Sequence, residues 1–129
     1  MIIVSIYASL LALLFVALSV RVIRLRQKLN LALGDAGNTE LMKAIRAQSN
    51  FAEYVPLALL LLFFLENANA PSWLIHALCL LLLIGRSIHA YGISQLNETL
   101  SFRIAGMMMT FGAIAITSLS ILVLHFLPT

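Results

Sequence analysis

The run from Tyr54 to Leu65 carries no charge, but its 12 residues are too few to cross a bilayer as a helix, since a span needs about 20. A membrane helix built on this run must take in the residues before it, and these include Arg46, Asn50 and Glu53. Their spacings of four and three align them on one helical face,. From Arg46 to Glu53 that face rises about 10 Å. Ionisable groups at such depth are costly against lipid and turn toward a protein interior or a site. The stripe therefore predicts a bundle with a polar interior at one end. Pro56 follows one turn after Ala52, whose carbonyl it cannot satisfy, and predicts a kink just past Glu53.

Composition supports the membrane setting. Of 129 residues, 62% are hydrophobic and 10% charged, and the mean hydropathy is +1.04. Soluble domains run near 45–50% apolar and 25% charged. The length fits one domain. The net charge of +3 resides mostly in cations near helix ends, a distribution suited to membrane orientation and not to nucleic acid. The lone Cys79 has no intrachain partner and says nothing of redox compartment,. No cation precedes Arg21, so the first apolar segment reads as a span, not as a cleavable signal peptide,.

Taken in order, the chain predicts helices over about 2–28, 40–66, 72–94 and 100–127. The first ends in Arg21, Arg24, Arg26 and Lys28, followed by a loop containing Gly34, Asp35, Gly37 and Asn38,. Asn38 or Thr39 is placed to cap the second helix, with Glu40 favouring its positive end. Asn67 to Ser72 is a turn, and Trp73 suits the interface. The third helix carries Arg86 and His89, and the fourth takes in Arg103 before a long uncharged run. The expected fold is an all-α membrane protein, a four-helix transmembrane up-down bundle. The first loop holds its cations together with Lys43, whereas the second holds none. By the positive-inside rule the first and third loops face the cytoplasm and both termini lie outside. Arg46, Asn50, Glu53, Arg86, His89 and Arg103 then share one cytoplasm-facing depth on three helices.

Arginines, a carboxylate, an asparagine and a histidine suit a zwitterionic, net-anionic ligand. Guanidinium groups pair bidentately with carboxylates, and Glu53 suits an ammonium. An arginine near a bound thiol favours the thiolate, so the protein need supply no nucleophile. Apolar walls admit a lipophilic second substrate from the bilayer. A structural reading stands beside this one: Glu53 pairs with Arg46 or with an arginine of another helix, and Asn50 bonds a neighbouring helix. The basic end of the first helix serves as an anchor for anionic lipid, from which Arg24 or Arg26 could still reach the site. His76 and His125 fall near outer helix ends, and neither has metal-ligand spacing with Cys79. No metal site is expected. Met107, Met108 and Met109 point different ways on a helix and read as packing.

Arg46-Ala47-Gln48-Ser49-Asn50-Phe51-Ala52-Glu53-Tyr54-Val55-Pro56 resembles the second-helix signature of the MAPEG superfamily, the membrane-associated proteins in eicosanoid and glutathione metabolism. It matches each fixed position of Arg-Ala-x-x-Asn-x-x-Glu-x-x-Pro. Gly85-Arg86-Ser87-Ile88-His89 and Val22 to Lys28 resemble the third-helix segment and the basic first-helix end of an enzymatic member. The similarity covers essentially the whole chain and looks like the family's bacterial branch. It implies a homotrimer in a bacterial inner membrane, with glutathione as co-substrate held between subunits near the cytosolic face. Carried over, Arg46, Asn50 and Glu53 bind glutathione, Arg86 and His89 line its site, and Arg103 activates the thiol; Arg26, at the basic end of the first helix, is the further binding candidate. The chain departs from enzymatic members in its fourth helix, which lacks tyrosine; the first aromatic after Arg103 is Phe111.

The leading expectation is therefore a glutathione-dependent transferase or peroxidase acting on lipophilic electrophiles. The family also has a non-catalytic lipid-binding member, so a lipid-binding protein on the same fold is the alternative. A small proton-coupled exporter is the third. Its membrane carboxylate would be Glu53, but a carboxylate beside arginine makes a poor proton carrier near neutral pH.

Overall fold

The computed structural model describes residues 2–126. They form four helices: α1 (Ile3–Leu29), α2 (Thr39–Asn67), α3 (Ser72–Ser94) and α4 (Leu100–Phe126). All four are long and apolar enough to cross a membrane, and the chain is a four-helix membrane bundle. The expected fourth helix reaches about Leu127, which lies outside the described residues.

Local chemistry explains where the helices begin and end. Asn38 caps α2, its Oδ1 accepting from the Leu41 N–H at 2.9 Å,. At the end of α1, Asn30 adopts a left-handed φ of 53°, and the Leu31 N–H returns to the Arg26 carbonyl at 3.0 Å,. The start of α1 has no side-chain cap of its own. The Glu66 carboxylate, from the far end of α2, accepts from the Ile3 and Val4 N–H groups instead. A carboxylate at that position also complements the helix dipole. Pro56 lies inside α2, which remains one helix from Thr39 to Asn67.

The same contacts define the topology. Glu66 ties the end of α2 to the start of α1. Arg21 and Ser94 join the ends of α1 and α3, and Lys43 ties the start of α2 to the end of α3. Neighbours in sequence are thus antiparallel. The helices α2 and α3 each touch the other three, whereas α1 and α4 do not meet among the described residues. Of the four, α3 is the most enclosed and α4 the least.

Two kinds of packing hold the bundle. Leu11, Phe51, Leu62, Leu78 and Leu82 belong to the main apolar cluster joining α1, α2 and α3, with Phe15 stacked on Phe51 at 5.5 Å. The buried face of α4 is instead Gly106, Thr110, Ala113 and Thr117. Small residues at spacings of four and three let two backbones approach closely. The approach is tightest at Gly106, where a Cβ would stand 2.6 Å from the Gly85 carbonyl oxygen and 2.7 Å from the His89 backbone nitrogen. This crossing sets Arg86 and His89 of α3 directly against α4.

Candidate functional site

The helix ends that meet near the first and third loops carry the polar side chains, and Arg86 lies at their centre. It is fully buried, at 0% exposure. Its Nη2 donates to Asn50 Oδ1 at 2.8 Å and approaches His89 Nδ1 at 3.3 Å. Its Nη1 faces Thr110 Oγ1 at 3.4 Å and Met107 Sδ at 3.6 Å. The guanidinium carbon lies 5.6 Å from the centre of the Phe51 ring, within cation–π range. A guanidinium only donates, so His89 accepts through Nδ1 and carries its ring proton on Nε2. Every one of these partners is uncharged. The Arg86 Nε has no hydrogen-bond partner, and no carboxylate forms an ion pair with Arg86 among the described residues.

Arg46 and Glu53 do not join this interior cluster. They pair with each other at 3.8 Å on the outer face of α2, with side chains 56% and 50% exposed. The stripe is split because about 100° per residue sets Asn50 some 60° around the helix from Glu53. Asn50 turns into the bundle while its two neighbours look outward. Both structural readings of the stripe are thus present: Glu53 pairs with Arg46, and Asn50 bonds α3.

Arg103, in the first turn of α4, lies on the open side of the cluster. Together with Asn50, His89, Ile104 and Met107 it lines a groove of about 270 Å³. Its Nη1 donates to Glu98 Oε1 at 2.6 Å, and the other Glu98 oxygen lies 3.3 Å from Lys43 Nζ. Lys43 also donates to the Gln95 and Leu96 carbonyls at 3.0 and 3.4 Å. The hydrogen bond from Arg103 holds the Glu98 carboxyl below the ordinary carboxylate range; Lys43 helps, and burial opposes. Arg26 lies apart from all of this. It donates to the Gly34 carbonyl at 2.7 Å and borders a recess with Ile23, Gln27 and Asn30.

The profile of the MAPEG family matches residues 4–123. The chain belongs to the MAPEG family. This MAPEG chain is also 38% identical over 116 residues to the inner membrane protein YecN of Escherichia coli K12, a match covering 90% of the chain and 87% of that relative. YecN of Escherichia coli O6:H1 matches at the same 38% identity over 116 residues.

Within the MAPEG chain, α4 presents Thr110 and Met107 to Arg86. Tyr91 is exposed and packs edge-on against Phe102. Tyr54 of α2 packs instead on Phe111 of α4 at 5.3 Å. Sequence reasoning passed over Glu98, Lys43 and Thr110. Lys43 enters the sequence reading only as a first-loop cation that sets orientation, Glu98 lies in the loop before the fourth helix, and Thr110 sits in that helix's long uncharged run. The available signal was that Glu98 precedes α4 by two residues, within reach of both its first turn and the start of α2.

Proposed function

We propose that this protein is an inner-membrane, glutathione-dependent transferase or peroxidase that works as a homotrimer with its site facing the cytoplasm. The observation that carries the reading is the burial of Arg86 without a counter-ion. A cation removed from water and left among neutral partners is strongly unfavourable unless an anion completes it. A ligand carboxylate or thiolate in the Asn50–His89–Arg103 groove supplies that charge close by.

Several features support glutathione as that ligand. Its carboxylates suit the guanidinium groups, and its ammonium suits Glu53. Arg103 at the groove favours the thiolate over the thiol. In a transfer, the sulfur lone pair forms a carbon–sulfur bond while the leaving group departs with its electron pair. The thiol proton passes to water at the groove mouth. The lipophilic partner enters from the bilayer beside Ile104 and Met108.

The outer face of α2 supports the trimer. A half-exposed Arg46–Glu53 pair at span depth is poorly served by lipid and well served by a second copy. The cation-rich first loop supports the cytoplasmic orientation, and the likeness to YecN supports an inner membrane.

The test is calorimetric titration of the purified protein with glutathione, together with conjugation of a halonitrobenzene. Binding in the millimolar range or tighter, lost in Arg86→Met, with turnover lost in Arg103→Ala, is the expected result. Absence of binding at millimolar glutathione overturns the reading. A second reading, a non-catalytic lipid-binding protein, is favoured by one observation: Arg103 is already engaged by Glu98. It predicts co-purifying lipid, no conjugation, and no effect of Arg103→Ala on that lipid.

A further inference from the structure

At the mouth of the groove one carboxylate is shared between two cations on different helices. Glu98 Oε1 accepts from Arg103 of α4 at 2.6 Å, while Oε2 lies 3.3 Å from Lys43 Nζ of α2. The Glu98 and Lys43 side chains are only 15% and 16% exposed, whereas the Arg103 side chain is 39% exposed. Lys43 is itself fixed by two carbonyls at the end of α3, those of Gln95 and Leu96. The carboxylate thus rests on one anchored cation and one freer cation, and the freer cation lines the groove.

We infer that Glu98 is a built-in occupant of the anion position on Arg103, which a ligand's anionic group must displace, Lys43 retaining the released carboxylate. Glu98 thereby sets which ligands the groove accepts. A neutral molecule cannot compete for the guanidinium, and a weakly placed anion competes poorly against an ion pair already formed. Lys43 lowers the barrier to exchange, because Glu98 keeps a charged partner when Arg103 turns away. Lys43 and Glu98 are positioning residues here, acting through Arg103. The inference deepens the glutathione reading by naming what Arg103 gives up when the thiol or a carboxylate arrives.

The test uses the full-length protein in detergent with two readouts, one of which needs no ligand. In the first, phenylglyoxal modifies free guanidinium groups, and peptide mass spectrometry follows Arg103 against exposed Arg24 as internal control. Glu98→Gln should speed Arg103 modification roughly twofold to fivefold, the scale of a lost, partly exposed ion pair. Lys43→Met, which leaves the carboxylate to Arg103 alone, should slow it. Glu98→Asp should fall between wild type and Glu98→Gln. Structural damage would move Glu98→Gln and Lys43→Met in the same direction, so the opposed signs isolate the clasp. In the second readout, Glu98→Gln should tighten glutathione binding by a similar factor. Unchanged or slower Arg103 modification in Glu98→Gln overturns the inference, as does weaker glutathione binding in that variant. If neither wild type nor Glu98→Gln binds glutathione, the glutathione reading falls while the modification rates still decide the clasp.

Discussion

Arg86 and Arg46 belong to neighbouring helices of one bundle and meet opposite surroundings. Arg86 is wholly enclosed, and Asn50, His89, Thr110 and Met107 around it are all uncharged. Arg46 is half exposed and faces a carboxylate, Glu53, at 3.8 Å. A bundle arranged only for its own stability would bring Glu53 inward to the buried cation. Here the anion is on the outside and the uncompensated cation on the inside. Under the proposed function the difference separates two roles: the interior cation is the one that a bound anion would complete, and the outer pair is the one that a second copy would cover.

The interior arrangement depends on the α3–α4 crossing, so the largest effect should come from disturbing it. In Gly106→Ala the added Cβ meets the Gly85 carbonyl and the His89 backbone, neither the end of a flexible side chain. A loss of about 1–3 kcal/mol is expected from such overpacking, read as a lower thermal midpoint in detergent. Gly112→Ala is the matched control. Its Cβ would find only Leu81 Cδ2, at 3.9 Å, and replacing a helical glycine by alanine there should be neutral or stabilising. The comparison between the arginines breaks if Gly106→Ala leaves the thermal midpoint unchanged.

Next in size is Arg86→Met. Replacing a buried charge by an apolar side chain of similar length is often neutral or stabilising. The thermal midpoint should therefore hold or rise, while affinity for glutathione falls roughly 30-fold or more, as when a buried partner of a charge pair is removed. A large drop in stability with unchanged binding would make Arg86 a structural strut. The outer pair should behave in the opposite way. Glu53→Gln should change protomer stability by no more than about 1 kcal/mol, but weaken self-association as measured by light scattering after chromatography. An unaltered oligomer would sever the pair from any interface.

The sequence and the structure diverge where helical periodicity stops being informative. Four spans and a bundle were legible because long, mostly apolar stretches and loop composition mark the helices and their ends directly. The spacing of Arg46, Asn50 and Glu53 places them within one broad sector of α2,. A face is broad, however, and an offset of about 60° sufficed to send Asn50 inward and Glu53 outward. Nothing in the sequence indicates which edge of the stripe meets the neighbouring helix. Glu98 was harder still, because it lies between helices, where no period orients a side chain. The glycine at 106 was visible, but its meaning depends on Gly85 and His89 across the crossing. Arg26 was read from the basic end of α1, where the Gly34 carbonyl competes for its guanidinium.

The smallest effect concerns pH and lies at the clasp between the two regions. Glu98 is held below the ordinary carboxylate range, first by its hydrogen bond from Arg103 and then by Lys43, with burial opposing. A carboxyl depressed in the folded state contributes stability that is fully present above its unfolded value, about 4.3. That contribution is lost as pH falls through the lower folded value. The difference in thermal midpoint between wild type and Glu98→Gln should thus be constant, at roughly 2–4 °C, from neutral pH to about pH 5. Below that it should shrink toward zero. Arg86→Met should leave this profile unshifted, because Arg86 makes no contact with Glu98 among the described ion pairs. A midpoint difference that grows on acidification would mean that Glu98 is more comfortable protonated. It would also mean that Arg103 is free for the groove without any exchange of partners.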